Sequence, residues 1–220
     1  MKFTEFGFDD RLMEGIDASG YENATPVQEQ VIPLIMAGKD VIASAQTGTG
    51  KTAAFLLPLI NKIITDTHED HTNNALVFVP TRELAVQIAQ HMEGLSYFTS
   101  VSSIAVYGGG DGNAFVQEKK ALSHGADVVI CTPGKMMSHI KMGYVKLAGL
   151  KYLILDEADR MLDMGFYDDI MFIIDSLPKK RQNLLFSATM PHKIRELARK
   201  ILHNPEEVNI SISKPPEKIK

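Results

Sequence analysis

Six short apolar runs, at residues 41–44, 75–79, 104–107, 128–131, 152–155 and 184–186, constrain the fold of this chain more than any other feature. Each is built of consecutive aliphatic and aromatic residues rather than an apolar–polar alternation, the pattern of a strand covered on both faces. The segments between them are long enough for crossover helices. The reading is an α/β fold: an open, doubly wound, mainly parallel sheet with helices on both faces, preceded by a helical preamble. With 220 residues, 45% of them apolar, the chain suits one large core better than two small ones. Ligands of such a sheet gather at the carboxyl ends of its strands. Residue types suited to ligand contact stand there after every run, at 45–52, 80–85, 108–110, 132–135, 156–159 and 187–189.

The domain is expected to occupy residues 1–213, and the Pro-containing stretch 214–220 reads as the start of a linker. Residues 65–74 are polar and read as a surface loop. A net charge of -4 excludes a uniformly basic nucleic-acid coat, because neutralising phosphates takes an excess of Lys and Arg. Any polynucleotide contact must be local. The single cysteine, Cys131, ends an apolar run and reads as a reduced core thiol. No run reaches the length of a membrane span and no leader pattern opens the chain, so the expectation is a cytoplasmic protein with no membrane partner.

The strongest single motif is Gln46-Thr47-Gly48-Thr49-Gly50-Lys51-Thr52, between the run at 41–44 and a helical pattern at 53–64. In that context a glycine-rich string is a phosphate cradle. Gly48 and Gly50 let backbone N–H groups close around phosphates, the helix N-terminus adds its positive pole, Lys51 reaches the β and γ phosphates, and Thr52 offers a hydroxyl to magnesium. The strict pattern asks for glycine where this chain has Ala45, which matters only if that position needs φ above zero. Asp156-Glu157-Ala158-Asp159 follows the run at 152–155, which puts Asp156 in the place of a Walker-B carboxylate holding magnesium through water. Glu157 is then the candidate to orient or deprotonate an attacking water. The bland alternatives are a Gly/Thr turn and an acidic helix start.

With these residues in place, the chain resembles the DEAD-box RNA helicases: Asp156 to Asp159 spell the name, and further motifs follow in the family's order. The resemblance covers residues 1–213 and implies a RecA-like domain that uses ATP and Mg2+, contacts RNA, and works with a second RecA-like domain absent from this chain. Phe3, Gly20-Tyr21 and Thr25-Pro26-Val27-Gln28 resemble the adenine-recognition element, in which the glutamine reads the base and the aromatic packs on it; Ala24 stands where the family commonly has proline. A glutamine amide can donate to one edge atom of adenine and accept from its amino group. Without the resemblance, Gln28 reads as a polar residue starting a helix.

Pro80-Thr81-Arg82, Gly108-Gly109 and Thr132-Pro133-Gly134-Lys135 resemble the motifs that grip the RNA sugar-phosphate backbone, with Lys135 in place of the usual arginine. Ser187-Ala188-Thr189 is similar to the motif linking the nucleotide site to unwinding, where a hydroxyl bonds Asp159. The stretch 192–200 has helical spacing with Ile194, Leu197 and Ala198 on its core side. Two rival readings stay open: another P-loop enzyme such as a DNA helicase or protein-remodelling ATPase, and a non-catalytic, nucleotide-gated RNA-binding module.

Overall fold

The computed structural model describes residues 1–210; the expected linker at 214–220 lies outside the described residues. After a short 3-10 turn (Phe3–Phe6) come α1 (Asp10–Ala18) and α2 (Pro26–Met36), then β1 (Val41–Ser44), α3 (Lys51–Thr65), β2 (Ala75–Phe78) and α4 (Arg82–Ser96). The second half runs β3 (Ser103–Val106), α5 (Gly112–His124), β4 (Val128–Cys131), α6 (Pro133–Lys141), β5 (Tyr152–Leu155), α7 (Ala158–Asp163), α8 (Tyr167–Asp175), β6 (Gln182–Ser187), α9 (His192–Ile201) and β7 (Glu206–Asn209).

All seven strands join one sheet in the order β3-β4-β2-β5-β6-β1-β7, and every pairing is parallel. The apolar runs are continuous because both faces are covered. In β1, Val41 and Ala43 face one core and Ile42 the other; in β2, Ala75 and Val77 oppose Leu76 and Phe78 in the same way. Helices α1–α4 close the first face with residues such as Leu12, Val31, Phe55 and Ile88. The helices of the second half close the other with Leu122, Met136, Ile173 and Leu197. Cys131 lies wholly inside this second core, where burial pushes its thiol well above the ordinary range, so it stays an inert core group. Among the described residues no helix is long and apolar enough to cross a membrane.

Two features depart from the sequence reading. The seventh strand, β7, was not expected: it pairs with β1 at the sheet edge, and only Val208 of its four residues is buried. An edge strand with exposed side chains needs no apolar run. The stretch 65–74 is not wholly a surface loop, since Thr72, Asn73 and Asn74 are buried. Asn73 explains this with hydrogen bonds rather than apolar area. Its amide donates to the carbonyls of Leu122 (2.9 Å) and Lys146 (2.8 Å) and accepts from Ala126 N–H (2.9 Å), satisfying backbone groups of three segments at once.

The strand order divides the carboxyl edge in two. Strands β5, β6 and β1 are neighbours and lead into the acidic, Ser-Ala-Thr and glycine-rich segments, whereas β3, β4 and β2 lead into the three stretches read as backbone-gripping turns. One edge thus carries two flanks.

Candidate nucleotide and RNA site

Strand β1 ends at Ser44 and α3 begins at Lys51, leaving residues 45–50 to turn the chain through Gly48 and Gly50, both at φ 85°. Gly50 is required twice over: a Cβ there would lie 2.6 Å from Gln28 Nε2 and 2.9 Å from Thr25 Oγ1. Ala45 is buried and is not among the positive-φ residues, so its methyl is accommodated. Thr49 closes the loop by donating its hydroxyl to Gln46 O (2.7 Å), while Gln46, Thr47 and Gly48 are exposed. No side chain caps α3, so its leading N–H groups face the loop, where an anion is favoured.

Beneath the loop lies a buried ion pair. Lys51, 6% exposed, holds its Nζ 3.1 Å from Asp156 Oδ1 and 3.8 Å from Glu157 Oε1. Asp156 is wholly buried just past β5, and its Oδ2 has no hydrogen-bond partner. Burial pushes its carboxyl above the ordinary range, against the pull of the Lys51 ammonium. A buried carboxylate oxygen left unpartnered is costly unless something else coordinates it. Among the described residues no group of three or more His, Cys, Asp or Glu side chains is placed to hold a metal. The donors at hand, the Asp156 carboxylate and the half-buried Thr52 hydroxyl on the first turn of α3, therefore fit an ion that keeps most of its water and takes phosphate oxygens, as magnesium does.

Glu157 adopts the left-handed conformation at φ 52°, which a side-chain-bearing residue holds at a cost of about 1–2 kcal/mol. It heads α7 and meets Arg160 Nη1 at 3.3 Å. Strand β6 supplies the adjoining wall. Thr189 donates from Oγ1 (2.9 Å) and N–H (3.2 Å) to Asp159 Oδ2, whereas the buried Ser187 hydroxyl turns to Thr189 O at 2.7 Å. Of the two hydroxyls considered, Thr189 alone reaches Asp159.

Gln28 is at once a helix cap and a strut for the loop. Thr25 and Gln28 form a capping box on α2, with Gln28 Oε1 accepting from Thr25 N–H at 2.9 Å, and Nε2 donates to Gly50 O at 3.0 Å. The base-stacking role expected of Phe3 is not supported. Phe3 is 2% exposed, packed 5.7 Å from the Tyr21 ring and 5.8 Å from Phe6, so it presents no free face to a base. Tyr21 is half-buried, and its hydroxyl meets His91 of α4 at 3.2 Å.

On the other flank, Pro80 is buried, Thr81 caps α4 by accepting from Leu84 N–H, and Arg82 is exposed with its guanidinium 5.2 Å over the Tyr107 ring. Gly108 and Gly109 are exposed beside Arg82. Thr132 and Pro133 start α6 with no side-chain cap, leaving N–H groups for an outside acceptor, and Gly134 is half-buried behind them. Lys135 does not project outward: its Nζ sits 5.1 Å over Phe115 and 4.0 Å from Glu118. Between the flanks lies an open hollow of about 720 Å³ lined by Thr47, Thr81, Gln87, Glu157 and Arg160.

Residues 25–197 match the family described as DEAD/DEAH box helicase. The chain belongs to that family. This DEAD-box chain is 46% identical over 211 residues to the ATP-dependent RNA helicase CshA of Listeria monocytogenes, covering 95% of itself and 39% of that protein. It is 43% identical to the DEAD-box ATP-dependent RNA helicase RhpA of Helicobacter pylori, covering 96% and 42%. It spans about 40% of the length of these relatives. The crystal structure of a DEAD box protein from the hyperthermophile Methanococcus jannaschii superposes with a TM-score of 0.87 at 38% identity, over 95% of this chain and 56% of that one.

Two residues of the DEAD-box site, Arg160 and Glu118, escaped the sequence reading, as did the supporting role of Thr25 within its motif. Thr25 props Gln28 against Gly50, Arg160 pairs with Glu157, and Glu118 engages Lys135. Thr25 carried a usable signal, the Thr-x-x-Gln capping box. The i,i+3 spacing of Glu157 and Arg160 carried a weaker one.

Proposed function

We propose that this domain binds ATP with magnesium at the glycine-rich loop, grips an RNA strand by its backbone on the adjoining flank, and hydrolyses ATP to separate RNA duplexes once joined to a second RecA-like domain. The observation that carries the reading is the buried Lys51–Asp156 pair beneath the loop, with one Asp156 oxygen left unpartnered. Lys51 holds the place of the triphosphate and, on binding, moves from Asp156 to the β and γ oxygens. Asp156 and Thr52 would hold magnesium, which when bound supplies charge stabilisation to the phosphates. Gln46, Thr47 and Thr49 shape the loop whose N–H groups surround them. Glu157 receives the proton of a water aligned for in-line attack on the γ phosphorus, the bond to the ADP oxygen breaks, and phosphate leaves.

RNA contact is assigned to Pro80, Thr81 and Arg82, to Gly108 and Gly109, and to the turn from Thr132 to Gly134, where the open N–H groups are those of Gly134 and Lys135, since Thr132 N–H already donates to Val106 O and Pro133 has none. Such contacts read shape and phosphate rather than base, which suits an acidic protein. The Asp159–Thr189 bond ties the segments that follow β5 and β6 within the nucleotide flank, and strand separation follows from bending one RNA strand as the two domains close. The relatives' names support RNA and ATP as substrates. The absence of a membrane-length helix among the described residues is consistent with a cytoplasmic place of action.

Lys51→Ala is expected to weaken ATP binding by about 1.5–3 kcal/mol, the worth of charged hydrogen bonds, with the fold retained. It also leaves Asp156 buried without its counter-ion, so the melting temperature should fall by roughly 2–4 °C for each kcal/mol lost. Titration calorimetry beside a melting curve tests both; a folded variant with unchanged ATP affinity would sink the phosphate-site assignment. Gln28→Ala is expected to erode the preference for ATP over GTP by about 1–3 kcal/mol, the scale of a bidentate base contact. Loss of the Nε2 bond to Gly50 should weaken both nucleotides as well. Competition binding separates the effects, and an undiminished preference would leave Gln28 as cap and strut alone.

A further inference from the structure

The seam between α5 and α6 contains a buried polar cluster that the nucleotide chemistry does not use. Glu118 on α5 is 6% exposed and His139 on α6 is wholly buried. His139 Nε2 donates to Glu118 Oε2 at 2.7 Å, its Nδ1 meets the Tyr144 hydroxyl, and its ring stacks on Phe115 with centroids 5.0 Å apart and planes 17° apart. Both ring nitrogens are committed, so the carboxylate is held in one position. Lys135 completes the cluster, with its ammonium 4.0 Å from Glu118 Oε2 and 5.1 Å above Phe115. A lysine that serves as a point charge for phosphate keeps its ammonium in water. This one lies along an aromatic face toward a buried carboxylate, and that carboxylate, desolvated by its surroundings, needs a nearby positive charge.

We propose that Glu118, fixed by His139, is a positioning residue that draws Lys135 away from RNA phosphate, so that Lys135 clamps the α5–α6 seam and with it the Gly108–Gly110 loop and the Thr132–Gly134 turn. The inference rests on the RNA-contact reading above, in which Arg82 and open backbone N–H groups meet the strand. Glu118 and Lys135 act on RNA through the geometry of those turns and not through charge on the phosphates.

The salt dependence of binding separates the two roles, because each phosphate contact by a cation contributes about 0.7 to the slope of log affinity against log salt for a single strand. Oligouridylate binding is measured by anisotropy over a salt series for the unaltered protein, Lys135→Met, Glu118→Gln and the double variant, each checked for folding. Lys135→Met should weaken binding at every salt concentration with the slope unchanged. Glu118→Gln, which keeps the size of the side chain, should release Lys135 and steepen the slope by about 0.7, an increment that disappears in the double variant. A shallower slope in Lys135→Met would show a direct phosphate contact and overturn the proposal, and this holds even if the Glu118 variant fails to fold. A folded Glu118→Gln protein with an unchanged slope would overturn it too. No RNA binding by the unaltered protein would remove the RNA reading itself, whereas a normal slope that falls in Arg82→Ala would leave that reading standing whatever Lys135 does.

Discussion

Phosphate release by residues 1–220 alone is expected to be slow and to change little when single-stranded RNA is added. The reaction builds charge on the γ phosphate, and a second cation arriving from the far side, an arginine finger, is worth about 10³–10⁵ in rate. At this site Lys51 lies inside, beside Asp156, and Arg160 stands exposed at the rim, engaged with Glu157. Neither is placed to close over the phosphate from the opposite side. The hollow shared by Thr47, Thr81, Glu157 and Arg160 is likewise open, so RNA on one flank and nucleotide on the other are held from one direction only. The measurement is steady-state phosphate release with and without RNA, for these residues and for a version extended with a second RecA-like domain, beside a duplex-separation assay. Robust RNA-stimulated turnover by the short version would mean that one domain, or its self-association, completes the site.

How much of this was legible in the sequence follows from what each feature needs. The runs at 128–131 and 152–155 announced themselves because buried parallel strands have no polar face to show. Gly50 was legible for a similar reason: backbone at φ 85° pressed against Gln28 and Thr25 leaves no room for another residue. The edge strand β7 was hidden because its hydrogen bonds to β1 ask nothing of its exposed side chains. Asn73 was hidden because a buried amide that satisfies three backbone segments is written like any loop asparagine. Within the site, the family pattern led to Phe3 and Lys135 but not to where they point. Phe3 sinks between Phe6 and Tyr21, and Lys135 is turned by Glu118 and Phe115 on another helix. Those outcomes are set by tertiary neighbours, which no local spacing encodes.

Glu157→Gln is expected to leave ATP binding near its original strength while lowering hydrolysis by about 10²–10⁴, the usual worth of a positioned general base. The amide matches the carboxylate in shape and can still accept from Arg160, so the head of α7 should persist. What it loses is the capacity to take a proton from water. The backbone offers an independent control. Glu157 holds φ 52°, which costs a side-chain-bearing residue about 1–2 kcal/mol, whereas glycine pays no such steric cost but loses about 0.5–1 kcal/mol in chain entropy. Glu157→Gly should therefore melt at or slightly above the original temperature, yet turn over ATP no faster than Glu157→Gln. That pairing of kept stability with lost chemistry is the signature of strain retained for function. The assay needs this chain joined to a second RecA-like domain, with RNA present, so that the chemical step is measurable. Hydrolysis by Glu157→Gln at the original rate would remove Glu157 from the chemistry and return it to the role of an acidic helix start.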